Sequence, residues 1–283
     1  MSGELVNAME AEGAAGSAFA GQHSGFYKDR EVLSLIFKPI KDYLEQRTKG
    51  TRIRIADLGC GSGLVGLYAE KMANEIGYQT SSLFIDSNPR MLSAIEEGAD
   101  RKKVLSELSE LPESELKEQV DIALGRQFIH YAPPRLQKRI LGQIAKYVKT
   151  DGLFVNSTGT HESEEVVTFM SDYLSNILEL RNPDRPARRF YQSVGTYQQW
   201  VGDVGFRRCR IEGEYSQEFR SSDFFERFGF DQTLMTPATV EQRINEILDK
   251  MQATPEVERA LQIKRSGSHH SVSLTARVIV ATR

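Results

Sequence analysis

A short apolar strand, a glycine-rich turn and a helix are predicted in succession over residues 52–68, and this unit constrains the fold most strongly. The turn contains Gly59, Gly61 and Gly63, and residues 64–74 have helical character. Glycines let the backbone adopt unusual torsions and approach a ligand closely, while the start of a helix offers free N–H groups. The stretch is therefore typical of a nucleotide-binding unit.

Two acidic residues narrow this prediction. Asp57 comes just before the first glycine, where the strand ends, and Asp86 closes a second apolar strand over residues 82–85. The separation of the two strands suits an acid that hydrogen-bonds a ribose. No Gly-Lys-Ser/Thr follows the turn, so it does not resemble a phosphate loop. An acid within the first loop also suits a cationic ligand better than a pyrophosphate.

Both stretches resemble motifs of a known enzyme family. The run Asp-Leu-Gly-Cys-Gly-Ser-Gly at residues 57–63 resembles motif I of the class I S-adenosylmethionine-dependent methyltransferases, and Asp-Ser-Asn-Pro-Arg-Met-Leu at residues 86–92 is similar to their second motif. The resemblance covers residues 27–215 and implies that S-adenosylmethionine is the cofactor. It implies that the glycines line the methionine end and that Asp86 binds the ribose hydroxyls. Further expected cofactor contacts are Tyr27, Asp57, Ser87, Met91 and Arg126, with Glu107 or Leu108 near the adenine.

Strands and helices alternate along most of the chain, which predicts an α/β fold with a doubly wound sheet. The resemblance implies a Rossmann-like sheet of seven strands, the last one antiparallel, with a helical cap formed by insertions. We predict a mobile N-terminal arm over residues 1–28, a cofactor-binding core over 29–160, a cap segment and helix over 161–205, two last core strands at 206–215 and 271–283, and a cap insertion over 216–270.

Composition limits the classes of function and partner. The length of 283 residues suffices for one large α/β domain with insertions. A net charge of −3 gives no electrostatic footprint for nucleic acid. The two cysteines cannot build a disulfide framework, which favours a cytoplasmic location, and no apolar run predicts a membrane span. We expect a small-molecule partner, and a homodimer is one arrangement that such a fold allows.

A rim of histidines is expected beside the substrate, because ligands bind beyond the carboxyl ends of parallel strands. The family's strand order brings His161, either Glu214 or Tyr215, and the adjacent His269 and His270 to this rim. Two histidines and a carboxylate suit a divalent metal such as Zn or Fe, acting as a Lewis acid. The alternative is that His161 is a base or a packing residue and that His269 and His270 belong to a polar loop.

His130 follows the fourth strand and is expected nearer to the sulfonium. Its near-neutral pKa suits a general base, and the alternative role is a pocket wall. Arginines within residues 181–189 could bind a substrate carboxylate bidentately, and the alternative is a solvated face. The expected catalytic residues are His161 and His130. The expected substrate contacts are Gln127, Tyr131, Arg188 and Tyr191.

The predicted activity is methyl transfer from S-adenosylmethionine to a small organic acceptor. Such an enzyme chiefly aligns the nucleophile, desolvates it and removes its proton. The cap layout, the histidine rim and residues 126–131 resemble the C-methyltransferases of 2-oxo acids in β-methyl amino acid biosynthesis, including those acting on 5-guanidino-2-oxopentanoate. This resemblance implies methylation beside the carbonyl through a metal-chelated enolate. The alternatives are a metal-free O- or N-methyltransferase with a histidine base and a noncatalytic cofactor-binding protein.

Overall fold

The computed structural model describes residues 30–111, 119–184, 187–267 and 269–283. The predicted N-terminal arm and Tyr27 lie outside the described residues. The first described element is helix α1 (Arg30–Glu45), in which Ile36, Ile40 and Leu44 recur every four residues and are buried. This spacing aligns the three side chains on one helix face, which packs against the sheet. No helix within the described ranges is long and apolar enough to cross a membrane.

The centre of the fold is a twisted sheet with seven long strands. These are β1 (Arg52–Leu58), β2 (Gln79–Asp86), β3 (Arg101–Leu105), β4 (Val120–Arg126), β5 (Val148–His161), β7 (Arg208–Arg220) and β9 (His269–Thr282). Their order is β3-β2-β1-β4-β5-β9-β7, and β9 is antiparallel to both neighbours. The short strands β6 (Gln192–Ser193) and β8 (Lys264–Ser266) pair with β5 and β9. This arrangement confirms the predicted Rossmann-like fold class.

Helices cover both faces of the sheet. The first five long strands pair in parallel, and the four inner ones, β1, β2, β4 and β5, have apolar centres, as strands buried on both faces must. One core contains α1 and α2 (Leu64–Glu75), and the opposite core contains α4 (Pro134–Tyr147) and α6 (Val194–Asp203). The short helix α3 (Pro89–Ser93) begins where Asn88 accepts a hydrogen bond from the N–H of Arg90.

A third hydrophobic core forms the cap. It joins α5 (Glu164–Arg181), α7 (Phe224–Arg227), α8 (Pro237–Lys250) and α9 (Pro255–Ala260) around buried Tyr173 and Phe224. The strands β7 and β9 continue into this cap, because their pairing extends to Arg220 opposite Ser271. Residues 216–220 therefore belong to the strand ladder, whereas the sequence pattern assigned them to the insertion.

Candidate functional site

The glycine-rich turn lies between β1 and α2, at the carboxyl end of the sheet. Gly59, Gly61 and Gly63 have φ values of 60°, 53° and 79°, a region that favours glycine. A Cβ at Gly59 would lie 2.6 Å from the Cβ of Phe128, whereas a Cβ at Gly61 would meet no atom within 4 Å. The turn is therefore packed at its first glycine and open at its second, which leaves space for a ligand beside Gly61.

Asp86 holds this turn from the end of β2. Its Oδ2 accepts the N–H of Gly61 at 2.8 Å, and its Oδ1 accepts the N–H of Asn88 at 2.8 Å. Burial raises the pKa of Asp86, and the N–H groups of Asn88 and Gly61 oppose that rise. A carboxylate offers about four lone-pair sites, so both oxygens can accept further hydrogen bonds from ribose hydroxyls. Ser87 and Met91 follow directly and are half-buried.

Asp57 links β1 to α2. Its Oδ2 accepts the N–H of Gly66 at 2.8 Å, and the residue is 3% exposed. Burial raises the pKa of Asp57 to about 7, while the Gly66 N–H and the charge of Arg126 oppose the rise. Asp57 therefore stabilises the strand–turn–helix unit and faces the charge of Arg126, which is half-buried at the end of β4.

Glu107 adds a buried hydrogen-bond acceptor to the site. From the sequence, either Glu107 or Leu108 was predicted to lie near the adenine. Its Oε1 is buried and has no hydrogen-bond partner within the described ranges. Burial raises the pKa of Glu107, the charges of Glu110 and Asp86 add to the rise, and a hydrogen bond with Ser87 opposes it. An acceptor near Asp86 suits the amino group of an adenine. The open space at Gly61, the Asp86 carboxylate and this oxygen together fit S-adenosylmethionine.

The end of β4 is strained at Gln127. This residue has a backbone φ of 53°, which residues other than glycine rarely adopt. Its N–H donates a hydrogen bond to the carbonyl of Ser157 at 2.8 Å. Strain of this kind clusters at functional sites, where surrounding contacts maintain it. The turn carries the chain from Arg126 towards His130, so the predicted cofactor and substrate residues Arg126 and Gln127 lie on one loop.

His130 lies in an aromatic cluster that contains three of the predicted residues. Its ring centroid is 4.7 Å from that of Tyr131 and 4.7 Å from that of Tyr191. The guanidinium of Arg189 lies 3.9 Å from the centre of the Tyr131 ring, as in cation–π pairs. Arg188, one of the predicted substrate contacts, is exposed and lines a groove of about 550 Å³ beside α5. Neighbouring side chains of an extended segment point to opposite sides, so the adjacent Arg189 joins the cluster instead.

The environment of His130 keeps its imidazole neutral. The residue is 4% exposed, and its Nδ1 has no hydrogen-bond partner in the part of the chain that the structure describes. Burial lowers the pKa of His130 well below its ordinary value, and the positive charge of Arg189 lowers it further. A neutral imidazole with an uncommitted nitrogen can accept a proton.

His161 has a different chemistry. Its Nδ1 accepts the N–H of Ser163 at 3.1 Å. In a neutral imidazole the proton then sits on Nε2, so that nitrogen is a donor without a free lone pair. Burial lowers the pKa of His161, and the charge of Arg277 adds to this effect, so the ring stays neutral. The geometry therefore favours His130 over His161 as a base.

The predicted metal ligands do not form one site, and this part of the prediction is corrected. Glu214 is opposite Arg277 on β9 and forms an ion pair with it at 3.0 Å. His270 is opposite Arg265, seven residues from Arg277 along the same strand, which corresponds to roughly 23 Å. His269 instead contacts Glu241 at 2.6 Å. Among the described residues, no group of three histidines, cysteines or carboxylates could hold a metal ion.

Comparisons with known proteins agree with this geometry. Residues 56–156 match a family model described as a methyltransferase domain, which spans the glycine turn, Asp86 and the end of β4. The YcgJ protein from Bacillus subtilis is 16% identical, with a TM-score of 0.64 over 85% of this chain and 95% of that chain. A SAM-dependent methyltransferase from Archaeoglobus fulgidus is 18% identical, with a TM-score of 0.53 over 92% of this chain and 97% of that chain.

A third solved structure, the CurJ carbon methyltransferase, is 15% identical, with a TM-score of 0.50 over 88% of this chain and 53% of that chain. No curated protein matches the chain. At these identities the solved structures show the fold alone, and the methyltransferase-domain match covers the glycine turn and Asp86, which are the residues predicted to bind the cofactor. The matched domain, together with a fold shared with solved methyltransferases, supports S-adenosylmethionine-dependent methyl transfer as the activity of this chain.

Proposed function

We propose that the enzyme methylates a small 2-oxo acid at the carbon beside its carbonyl, with His130 as the base. The observation that carries this proposal is the buried, neutral imidazole whose Nδ1 has no hydrogen-bond partner among the described residues. The carbon methyltransferase among the structures of similar fold is consistent with carbon as the acceptor atom. A small acceptor also suits a chain with a net charge of −3, which does not favour nucleic acid.

Two residues of the aromatic cluster have different roles in the proposed reaction. The imidazole of His130 takes a proton from the carbon beside the carbonyl, and the electron pair of that C–H bond moves to form an enolate. Arg189 supplies positive charge near the developing anion, and a guanidinium also binds a carboxylate well. S-adenosylmethionine, when bound, supplies the methyl carbon, to which the enolate carbon bonds while the C–S bond breaks and its electron pair stays on sulfur.

Proton exchange tests this assignment without turnover. The enzyme is incubated in deuterated water with S-adenosylhomocysteine and a series of 2-oxo acids, including 5-guanidino-2-oxopentanoate. We expect deuterium to enter the carbon beside the carbonyl faster than without enzyme, as measured by NMR. His130→Gln should abolish this exchange and leave the affinity for S-adenosylhomocysteine unchanged. Methyl transfer to a 2-oxo acid without any enzyme-dependent exchange, or with His130→Gln fully active, would contradict the proposal.

A second candidate is a metal-free O- or N-methyltransferase. It is favoured by the same neutral imidazole, because a histidine base can also deprotonate a hydroxyl or an ammonium group on a natural product. The exchange experiment separates the two functions. An O- or N-acceptor is methylated in a His130-dependent reaction, while no C–H position of the acceptor exchanges with solvent.

A further inference from the structure

The segment of residues 189–191 is attached to α5 by two serine side chains. The N–H of Tyr191 donates to the Oγ of Ser171 at 2.9 Å, and the N–H of Arg189 donates to the Oγ of Ser175 at 2.9 Å. Each hydroxyl in turn donates to a backbone carbonyl four residues earlier in the helix: Ser171 to Val167 at 2.7 Å and Ser175 to Ser171 at 2.6 Å. Each serine thus has both its donor and one acceptor position occupied.

The spacing of the two serines matches the spacing of the two amides. Four residues of an α-helix rise about 6 Å, and two residues of an extended chain span about 6.6 Å. Serines at positions i and i+4 lie on the same helix face, and alternate N–H groups of an extended segment point to the same side. Ser171 and Ser175 therefore engage Tyr191 and Arg189 and skip Phe190.

The intervening residue faces the other way, towards the proposed base. The N–H of Phe190 donates to the carbonyl of His130 at 2.8 Å. The carbonyl of Phe190 accepts a hydrogen bond from the Nε2 of Gln137 at 2.6 Å, and the same Nε2 donates a second hydrogen bond to the carbonyl of Ala132 at 2.8 Å. A continuous series of hydrogen bonds thus runs from α5 through residues 189–191 to the backbone of His130.

We propose that Ser171 and Ser175 are positioning residues, which hold Arg189 and Tyr191 against His130 and so set the environment of its imidazole. The inference rests on the proposed function in one respect, namely that His130 is the base. The hydroxyls of the two serines form hydrogen bonds with residues 189 and 191 and with α5 itself, not with His130. Both act through the segment of residues 189–191, whose Tyr191 ring lies 4.7 Å from the imidazole.

The test uses the full-length protein with ¹⁵N-labelled histidine. Five histidines give five pairs of imidazole ¹⁵N signals, and the pair that is missing from the His130→Gln spectrum belongs to His130. In the double variant Ser171→Ala/Ser175→Ala, Arg189 and Tyr191 are released, so the His130 titration should move upwards, towards the ordinary value of 6.5. Turnover should fall roughly 10- to 100-fold, because small misplacements of reacting groups cost about that much. Ser171→Thr and Ser175→Thr keep the hydroxyls and should restore both readouts.

Asn176→Ala is the matched control. Asn176 follows Ser175 on the same helix and lines the same groove, but its side chain contacts the sulfur of Met251 at 3.8 Å and not residues 189–191. A folded double variant with an unchanged His130 titration would overturn the proposal, and the two single alanine variants provide the same comparison if the double variant does not fold. If the titration moves while His130→Gln remains fully active, the positioning role holds and only the proposed base is wrong.

Discussion

The Oδ2 of Asp86 accepts the backbone N–H of Gly61 at 2.8 Å, so the acid at the end of β2 fixes the glycine turn after β1. The other oxygen accepts the N–H of Asn88 at 2.8 Å, at the start of α3. One buried carboxylate therefore joins the two motifs through Gly61 and Asp86, which are 25 residues apart in the sequence. We therefore expect cofactor binding and loop geometry to depend on the same side chain.

Asp86→Asn should weaken cofactor binding. An amide has one acceptor oxygen instead of two, so it cannot serve the Gly61 N–H, the Asn88 N–H and the ribose hydroxyls together. Because hydrogen bonds to charged groups contribute about 1.5–3 kcal/mol, we expect the Kd for S-adenosylhomocysteine to rise roughly 10- to 100-fold in calorimetric titrations. Asp100→Asn removes a carboxylate that is exposed and paired with Arg52, and it should leave the Kd unchanged. Equal affinities in both variants would contradict the role of Asp86.

Alanine at two glycines of the turn should give opposite profiles. Gly59→Ala places a Cβ 2.6 Å from the Cβ of Phe128, so we expect a loss of about 1–3 kcal/mol in the free energy of unfolding. Gly61→Ala has a similar positive φ, 53° against 60° at Gly59, but its Cβ meets no atom within 4 Å, so it should cost about 1 kcal/mol of stability. Its methyl group would occupy the space left for the ligand, and cofactor affinity should fall more than for Gly59→Ala. Urea unfolding of both variants measures the predicted difference in stability, and calorimetric titration measures the predicted difference in cofactor affinity.

Local features were predictable from the sequence, and non-local ones were not. The glycines, Asp57 and Asp86 lie in two short runs of the sequence, and the resemblance of both runs to methyltransferase motifs, not the glycine spacing alone, predicted the unit that they form. The prediction of a histidine rim was wrong because the pairing register of β9 with β7 decides which side chains lie opposite one another. These two strands are far apart in the sequence, so the register cannot be read from a local pattern. The positive φ of Gln127 also leaves no signal, because the strain is imposed by contacts with β5.

The pKa of Asp57 makes stability depend on pH. Burial raises that pKa from 3.8 to about 7, so between these values the folded protein binds more protons than the unfolded chain. The contribution of Asp57 to stability is then largest at low pH and is lost as the pH rises through about 7. Asp57→Asn keeps an acceptor for the Gly66 N–H but does not titrate. We expect the wild type to lose about 3 kcal/mol relative to this variant between pH 5 and 8, and parallel urea-unfolding curves would refute it.

Gln127→Gly should separate stability from activity. Glycine adopts a φ of 53° without strain, so we expect the free energy of unfolding to stay equal or to rise by up to about 1 kcal/mol. Turnover should nevertheless fall, because a flexible residue at the end of β4 no longer fixes the path towards His130. Asp151 also has a positive φ, of 63°, but lies at a turn before β5 re-enters the sheet, so Asp151→Gly should change stability alone. A fully active Gln127→Gly would show that the strained turn has no functional role.

The pH dependence of turnover should report the buried environment of His130. A base must be unprotonated. Burial is the larger cause that lowers the pKa of His130 well below 6.5, and the positive charge of Arg189 is the smaller one. We therefore expect kcat/KM to stay level from pH 8 through 6.5 and to decline only in more acidic buffer. Arg189→Gln removes the smaller of the two causes, so the acidic limb should move partly towards 6.5. His269→Ala is the control, because this side chain is 71% exposed and contacts Glu241, and its profile should match the wild type. An acidic limb at or above 6.5 in the wild type, unmoved by Arg189→Gln, would assign proton transfer to a group other than His130.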